Sequence, residues 1–196
     1  MKTFRTLLAA IHWMPSLMMA ASTLAIAQQH AHVHGVLSLN VAVDAQALTL
    51  QMEVPLDNFL GFERGPRTDA ERKLDADMVA RLKAADKLFV LDPKAGCSLS
   101  KVKLESAVLE LGDKAKPATP PAKTAPAKGG KEPEGHADID VDISFTCTNA
   151  SQARFIDVKL FDAFKGVRTI NAQVASGQGQ FKRTLSKAAP KLAWGK

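Results

Sequence analysis

Apolar and polar residues alternate along three stretches of this sequence. In the clearest, Asp138 to Cys147, every second residue is apolar and the residues between are aspartate, serine or threonine. The stretches 37–43 and 48–54 show the same period on either side of a short polar turn. Because successive side chains of a strand point to opposite faces of a sheet, the pattern predicts a β-hairpin and a third strand, each with one buried face.

A helix is predicted between the second and third of these stretches, over residues 69–85. Thr68 and Glu71 have the spacing of a capping box, in which each side chain satisfies a backbone N–H group at the start of the helix. The apolar positions that follow recur every three or four residues, which is typical of a helix with one buried face. These positions are Leu74, Met78, Leu82 and Ala85.

The segment 113–135 is rich in Lys, Pro, Ala and Gly and contains no aromatic or branched aliphatic residue. Such a segment cannot bury enough apolar surface to offset the entropy of ordering, so we expect a long disordered loop. Residues 186–196 are interpreted as a basic tail. With weaker strand patterns elsewhere, the chain is predicted to form one α+β domain, predominantly antiparallel β and sandwich-like, with about seven strands and one amphipathic helix.

Residues 1–27 have the pattern of a cleaved signal peptide. Lys2 and Arg5 precede an apolar run that ends in the small-residue sequence Ala-Ile-Ala. A retained transmembrane helix is the alternative, but His12 and Pro15 interrupt the run and no basic cluster follows it. We therefore expect export of a mature domain, residues 28–196, without stable membrane insertion.

Two cysteines in an exported chain most simply form one disulfide, between Cys97 and Cys147. A redox centre is more often a Cys-x-x-Cys pair, and a thiolate zinc site needs further ligands close in sequence. The predicted disulfide is therefore structural.

The formal net charge is +6. The basic excess is concentrated in the signal peptide, the expected loop and the C-terminal segment, which leaves the remaining domain slightly acidic. This distribution argues against a nucleic-acid-binding surface.

Histidines recur at alternate positions at the expected mature N-terminus. They are His30, His32 and His34. Alternate side chains of an extended segment project to the same side, and neutral imidazole is a ligand for zinc, copper and nickel. The alternative is a frayed terminus with solvated histidines.

A fourth histidine, His136, precedes the clearest strand, and Asp138 and Asp140 follow it at alternate positions. If this strand lies beside the first strand, imidazole and carboxylate groups meet at one edge. For the aspartates the alternative is an ordinary solvated strand face. The candidate metal ligands are therefore His30, His32, His34, His136, Asp138 and Asp140.

Cleavage after residue 27 would also create Gln28-Gln29-His30 at a free N-terminus. The amine, two deprotonated amides and the His30 imidazole form a square-planar nitrogen set that suits Cu²⁺ or Ni²⁺. Cyclisation of the N-terminal glutamine would remove the amine and with it this second site.

The sequence contains no nucleophile elbow, P-loop, His-Glu-x-x-His or dinucleotide-binding glycine pattern. Glu63 and Arg64 lie in a turn-rich stretch and are interpreted as a local ion pair rather than as part of a polar site. These observations favour a binding protein over an enzyme.

Five blocks of sequence, taken in order, resemble the ZrgA-type zinc-regulated periplasmic proteins. They are HVHGVLSLNVAVD at 32–44, GFERGPRTDAER at 61–72, AGC at 95–97, GHADID at 135–140 and FTC at 145–147. The resemblance implies a non-enzymatic periplasmic protein that binds zinc and supports its uptake, with a high-affinity zinc importer or its binding protein as partner. It places His32, His34 and His136 at histidine positions of the family.

Three departures from the family pattern each remove a potential imidazole. Arg64 stands where relatives often have histidine, Asp140 stands where they often have a second histidine, and the segment 113–135 replaces a loop that is often rich in histidine. We therefore expect fewer bound zinc ions than in a relative with a histidine-rich loop.

Two functions are carried forward from the sequence. The first is a periplasmic zinc-binding protein that assists zinc uptake or buffering. The alternative is a β-rich interaction module of the cell envelope, in which the histidines are incidental and the basic tail contacts lipid or a partner protein.

Overall fold

The computed structural model of the chain describes residues 33–115 and 137–195. The predicted signal peptide, three of the candidate ligands (His30, His32 and His136) and most of the predicted loop at 113–135 lie outside the described residues.

The described residues form nine strands and four helices. The strands are β1 (Val36–Val43), β2 (Ala47–Pro55), β3 (Phe89–Leu91), β4 (Cys97–Glu105), β5 (Asp138–Cys147), β6 (Phe155–Val158), β7 (Thr169–Ser176), β8 (Gly179–Ser186) and β9 (Lys191–Ala193). The helices are α1 (Leu56–Leu60), α2 (Asp69–Lys83), α3 (Ala85–Leu88) and α4 (Leu160–Ala163). None of these helices is long and apolar enough to cross a membrane.

Two sheets organise the strands. Six strands form the larger sheet in the order β4-β5-β2-β1-β7-β8, and β3-β6-β9 form the smaller one. All neighbouring pairs are antiparallel except β1 and β7, which are parallel. The predicted fold class, predominantly antiparallel and sandwich-like, is confirmed. The strands and helices that the sequence did not predict are three to five residues long. This is too short for a periodic pattern of apolar residues to be visible.

The alternating residues bury one face of the larger sheet, as the sequence predicts. Fully buried positions on this face include Leu39, Leu48, Leu50, Val54, Ile139, Ile143 and Ile170. Strand register places them side by side: Leu50, for example, lies between Val41 of β1 and Ile143 of β5. The opposite face carries the polar residues of the same strands.

The long helix begins where the sequence predicts. Thr68 accepts a hydrogen bond from the backbone N–H of Glu71, and the Glu71 side chain accepts one from the Thr68 N–H, which completes the capping box. Met78 and Leu82 are buried, but Leu74 is 51% exposed, so the buried stripe is shorter than predicted. The helix ends at Lys83, and Ala85 belongs to the separate short helix α3.

The C-terminal segment differs from the expected basic tail. Its residues 191–193 form β9, which pairs with β6, and both Leu192 and Trp194 are buried. Lys191 lies on the exposed side of this strand. Lys191, one of the basic residues that suggested a tail, therefore stands in a strand beside apolar residues that belong to the core.

The predicted disulfide between Cys97 and Cys147 is present. The two cysteines are directly opposed in register on β4 and β5. Since β4 is an edge strand whose only neighbour in the sheet is β5, the disulfide ties this edge to the sheet. It lies at the end of the β4–β5 pair away from the connection that spans residues 106–137.

Replacement of both cysteines by alanine is expected to lower the free energy of unfolding by about 4 kcal/mol, because the unfolded chain regains the entropy of a loop of about 50 residues. Urea unfolding of the double variant and of the oxidised wild-type protein measures the difference. A loss below about 1 kcal/mol would show that the β4–β5 pairing does not depend on the disulfide.

Candidate metal centre

One end of the larger sheet holds the candidate ligands that the structure describes, His34, Asp138 and Asp140. His34 lies just before β1, Asp57 lies just after β2, and Ala137 lies just before β5. Strand register and a 2.8 Å hydrogen bond from the Leu56 N–H to the Ala137 carbonyl place the end of β2 beside the start of β5.

The first strand, β1, does not lie beside β5, which is the arrangement in which the imidazole and carboxylate groups would meet at one edge. β2 lies between β1 and β5, because the antiparallel hairpin β1–β2 uses its second strand to pair with β5. Neighbouring strands are about 4.8 Å apart, so residues of β1 and β5 are separated by about 10 Å across the sheet. The His34 end and the aspartates of β5 are therefore two adjacent groups rather than one.

His34 lies between two carboxylates. Its Nδ1 is 2.7 Å from Oδ2 of Asp57, and its Nε2 is 3.6 Å from Oε1 of Glu63. The His34 side chain is 68% exposed, whereas that of Asp57 is 28% exposed. Asp57 therefore contacts Nδ1 from a position that is partly shielded from solvent. Nε2 lies on the more exposed side of the ring.

The backbone beside His34 is held by a buried amide. Asn58 is fully buried, accepts a 2.6 Å hydrogen bond from the Gly35 N–H and donates a 2.9 Å hydrogen bond to the Val36 carbonyl. The Gly35 carbonyl in turn accepts hydrogen bonds from the N–H groups of Arg168 and Thr169. Since Asn58 follows Asp57 directly, the same turn of α1 fixes both His34 and its carboxylate partner.

The backbone directly after Glu63 is also held in place. The Arg64 guanidinium donates two hydrogen bonds, of 2.9 and 2.7 Å, to the two carboxylate oxygens of Glu71 at the start of α2. The interpretation of Glu63 and Arg64 as an ion pair with each other is wrong, because Glu63 faces His34 and Arg64 faces α2. Arg64 therefore holds the connection between α1 and α2.

The hydrogen bonds from Arg64, followed in strength by that from the Arg67 backbone N–H, lower the pKa of Glu71 from an ordinary value of 4.5 to about 2. The same ion pair raises the pKa of Arg64. Glu71 thus stays ionised over the whole pH range in which most proteins are folded.

The aspartates of β5 lie on the polar face of the sheet, as predicted. Asp140 is in register with Glu53 on β2 and with Glu105 on β4. Two residues further along β5, Asp142 accepts a 3.0 Å hydrogen bond from the side-chain amide of Gln51. Carboxylates therefore line three neighbouring strands here, and a role for Asp138 and Asp140 as metal ligands stays a prediction.

Within residues 33–115 and 137–195, no group of three or more His, Cys, Asp or Glu side chains is arranged to hold a metal ion. His34, Asp138 and Asp140 are the candidate ligands that fall in this part of the chain. His34 is the histidine among these three, and both of its ring nitrogens face carboxylates.

Sequence reasoning missed Asp57, Asn58 and the role of Glu63. A signal was present for the first two, since an Asp-Asn pair interrupts the apolar run from Pro55 to Leu60 at the end of a predicted strand. The contact of Glu63 with His34 joins residues 29 positions apart and has no local signature.

Replacement of Asn58 by alanine is expected to lower the free energy of unfolding by about 2–3 kcal/mol, because the Gly35 N–H and the Val36 carbonyl lose their buried partner. Urea unfolding measures this loss, and faster hydrogen exchange of the Gly35 amide should accompany it. The matched control Asn40→Ala, on the exposed face of β1, should change stability by less than about 0.5 kcal/mol. Equal effects of the two substitutions would contradict the anchoring role.

Replacement of Glu71 by glutamine is expected to destabilise the protein in a way that depends on pH. Because the folded state lowers the pKa of Glu71 to about 2, the stabilisation by its ionised form is complete above 4.5 and is lost as the pH falls towards 2. Urea unfolding of both proteins between pH 7 and pH 2.5 should show a gap that narrows below pH 4.5. A gap that does not change with pH would contradict the ion-pair account.

A family model described as ZrgA family zinc uptake protein matches residues 31–194. The match therefore includes every strand and helix described above, His34 and its two carboxylate partners, and the aspartates of β5. No curated protein matches the chain.

Proposed function

We propose that this chain, which belongs to the ZrgA family of zinc uptake proteins, binds zinc in the periplasm and supports its uptake without catalysing a reaction. Membership of a family described as zinc uptake proteins supports a zinc-related role. Binding, location and the absence of catalysis are our proposals, and the observations below support them.

The observation that carries the proposal is the placement of His34. The buried Asn58 holds the backbone of Gly35 and Val36, directly after His34, at one end of the larger sheet. The His34 ring lies against the carboxylates of Asp57 and Glu63. Imidazole nitrogen and carboxylate oxygen are typical zinc ligands. A ring that is anchored through its backbone yet 68% exposed is accessible to an ion from solvent.

Further ligands are proposed from the sequence. His30 and His32 precede His34 at alternate positions, and one residue, Ala137, separates His136 from Asp138 at the start of β5. We assign zinc binding to His30, His32, His34 and His136, with Asp138 or Asp140 in support. The first three residues of the mature chain, Gln28-Gln29-His30, are proposed as a second, weaker site for Cu²⁺ or Ni²⁺.

The periplasmic location and the domain limits are proposals that rest mainly on the signal-peptide pattern of residues 1–27. A disulfide between Cys97 and Cys147 supports them, because disulfides persist in oxidising compartments. We propose that the mature chain, residues 28–196, passes zinc to a high-affinity importer or its binding protein. Ligands at an exposed edge suit such exchange better than a closed structural site does.

Calorimetric titration of the mature protein with zinc at neutral pH tests the proposal. Wild-type protein should bind with micromolar or tighter affinity, and a variant with His32, His34 and His136 replaced by alanine should lose that binding while its thermal midpoint stays unchanged. An unchanged midpoint would show that the variant is folded, and for His34 it is expected because the side chain is 68% exposed.

A wild-type protein that binds no zinc would contradict the proposal and favour the alternative, an interaction module of the cell envelope with incidental histidines. Full binding by the triple variant would show instead that zinc is held elsewhere on the chain.

A further inference from the structure

We propose that Glu63 is a zinc ligand and that Asp57 is a positioning residue that directs Nε2 of His34 towards the metal. The inference rests on the proposed zinc-binding function and names two residues that neither the sequence pattern nor the family description assigns. It follows from the unequal contacts of the two His34 nitrogens.

Asp57 determines which nitrogen is free to bind. An ionised carboxylate only accepts hydrogen bonds, so the 2.7 Å contact with Asp57 Oδ2 requires a proton on Nδ1 of His34. In the neutral ring the lone pair is then on Nε2. Histidines that bind metals commonly donate their other N–H group to a carboxylate, which fixes the orientation of the ring and raises its basicity.

Glu63 lies on the Nε2 side of the ring. The 3.6 Å separation of Nε2 and Glu63 Oε1 is longer than a hydrogen bond. Two donors that bind one tetrahedral zinc ion, with bonds of about 2.0–2.2 Å, are separated by about 3.3–3.6 Å. The two atoms are therefore spaced as a pair of ligands to one ion, without rearrangement of the backbone.

The backbone that carries His34 and the backbone that follows Glu63 are both held by hydrogen bonds. Asn58 fixes the turn that carries Asp57 as well as the strand end that carries His34. The paired hydrogen bonds of Arg64 to Glu71 hold the chain directly after Glu63. Preorganised ligands cost less entropy to bring together, which favours binding at low zinc concentration.

The donor types also indicate which ions bind. The set is imidazole nitrogen and carboxylate oxygen, while both cysteines of the chain are joined in the disulfide. Thiolate and thioether ligands select Cu⁺, whereas this set suits divalent ions. We infer selectivity for zinc over Cu⁺ at this site.

Zinc affinity of three single variants of the mature protein tests the roles, by competition with a chromophoric chelator. Glu63→Gln and Asp57→Asn should each weaken binding about tenfold to a hundredfold. Asp44→Asn is the matched control, since it removes the same charge in the turn after β1, at the opposite end of the sheet, and should leave the affinity unchanged.

Nitrogen NMR of the zinc-free protein at pH 8 provides a readout that a purely structural role would not move. Long-range proton–nitrogen spectra should show His34 with its proton on Nδ1 in the wild type and in Glu63→Gln, and a shift towards the Nε2-protonated form in Asp57→Asn. One equivalent of zinc should then shift the Nε2 resonance of the wild type.

The outcomes separate the inference from the function it rests on. A wild-type protein that binds zinc, with Glu63→Gln within twofold of its affinity or with His34 protonated on Nε2, would contradict the assigned roles alone. Absence of zinc binding by the wild type would contradict both. Spectra of each variant also verify that it is folded.

Discussion

The pairing of β2 with β1 on one side and β5 on the other is the interaction on which the rest of this structure depends. It aligns the apolar residues of three strands on one face, where each fully buried Leu or Ile contributes about 1.5–3 kcal/mol. The same pairing brings the start of β1, the end of β2 and the start of β5 to one end of the sheet. His34, Glu63, Asp138 and Asp140, the proposed zinc ligands that fall in the described part of the chain, lie at that end.

The disulfide and the proposed zinc ligand His34 lie at opposite ends of the larger sheet. The disulfide ties the edge strand β4 to β5 at one end, and the exposed His34 with its two carboxylates lies at the other. Asn58 connects the interior to this exposed group, because a fully buried side chain fixes the backbone beside a histidine that itself faces solvent. In the proposed function, a zinc ion bound there would be held by anchored groups and would stay accessible for transfer.

Much of the larger sheet could be predicted from the sequence, because its strands follow the simple rule of one buried face. The hairpin β1–β2, the strand β5, the capping box at Thr68 and the disulfide each have a local or compositional signature. Pairing partners have none: the parallel contact of β1 with β7 and the position of β2 between β1 and β5 depend on the whole sheet. Charge also obscured the C-terminal strand, where Leu192 and Trp194 are buried between exposed residues.

The candidate site could be predicted in part. The alternating histidines and the aspartates of β5 were visible as a pattern, whereas Asp57, Asn58 and Glu63 act through contacts that only the fold creates. Polar residues after a strand end look like an ordinary turn until the partner of each is known. This is why the sequence pattern indicates candidate ligands but not the carboxylates proposed to position and complete them.

X-ray absorption at the zinc edge tests the central claim, that His34 and neighbouring carboxylates hold zinc at this end of the sheet. The account predicts nitrogen and oxygen ligands at about 2.0–2.1 Å in the zinc-loaded wild type, and a smaller imidazole signal in His34→Ala. A sulfur shell at about 2.3 Å, or an identical spectrum for the variant, would contradict it.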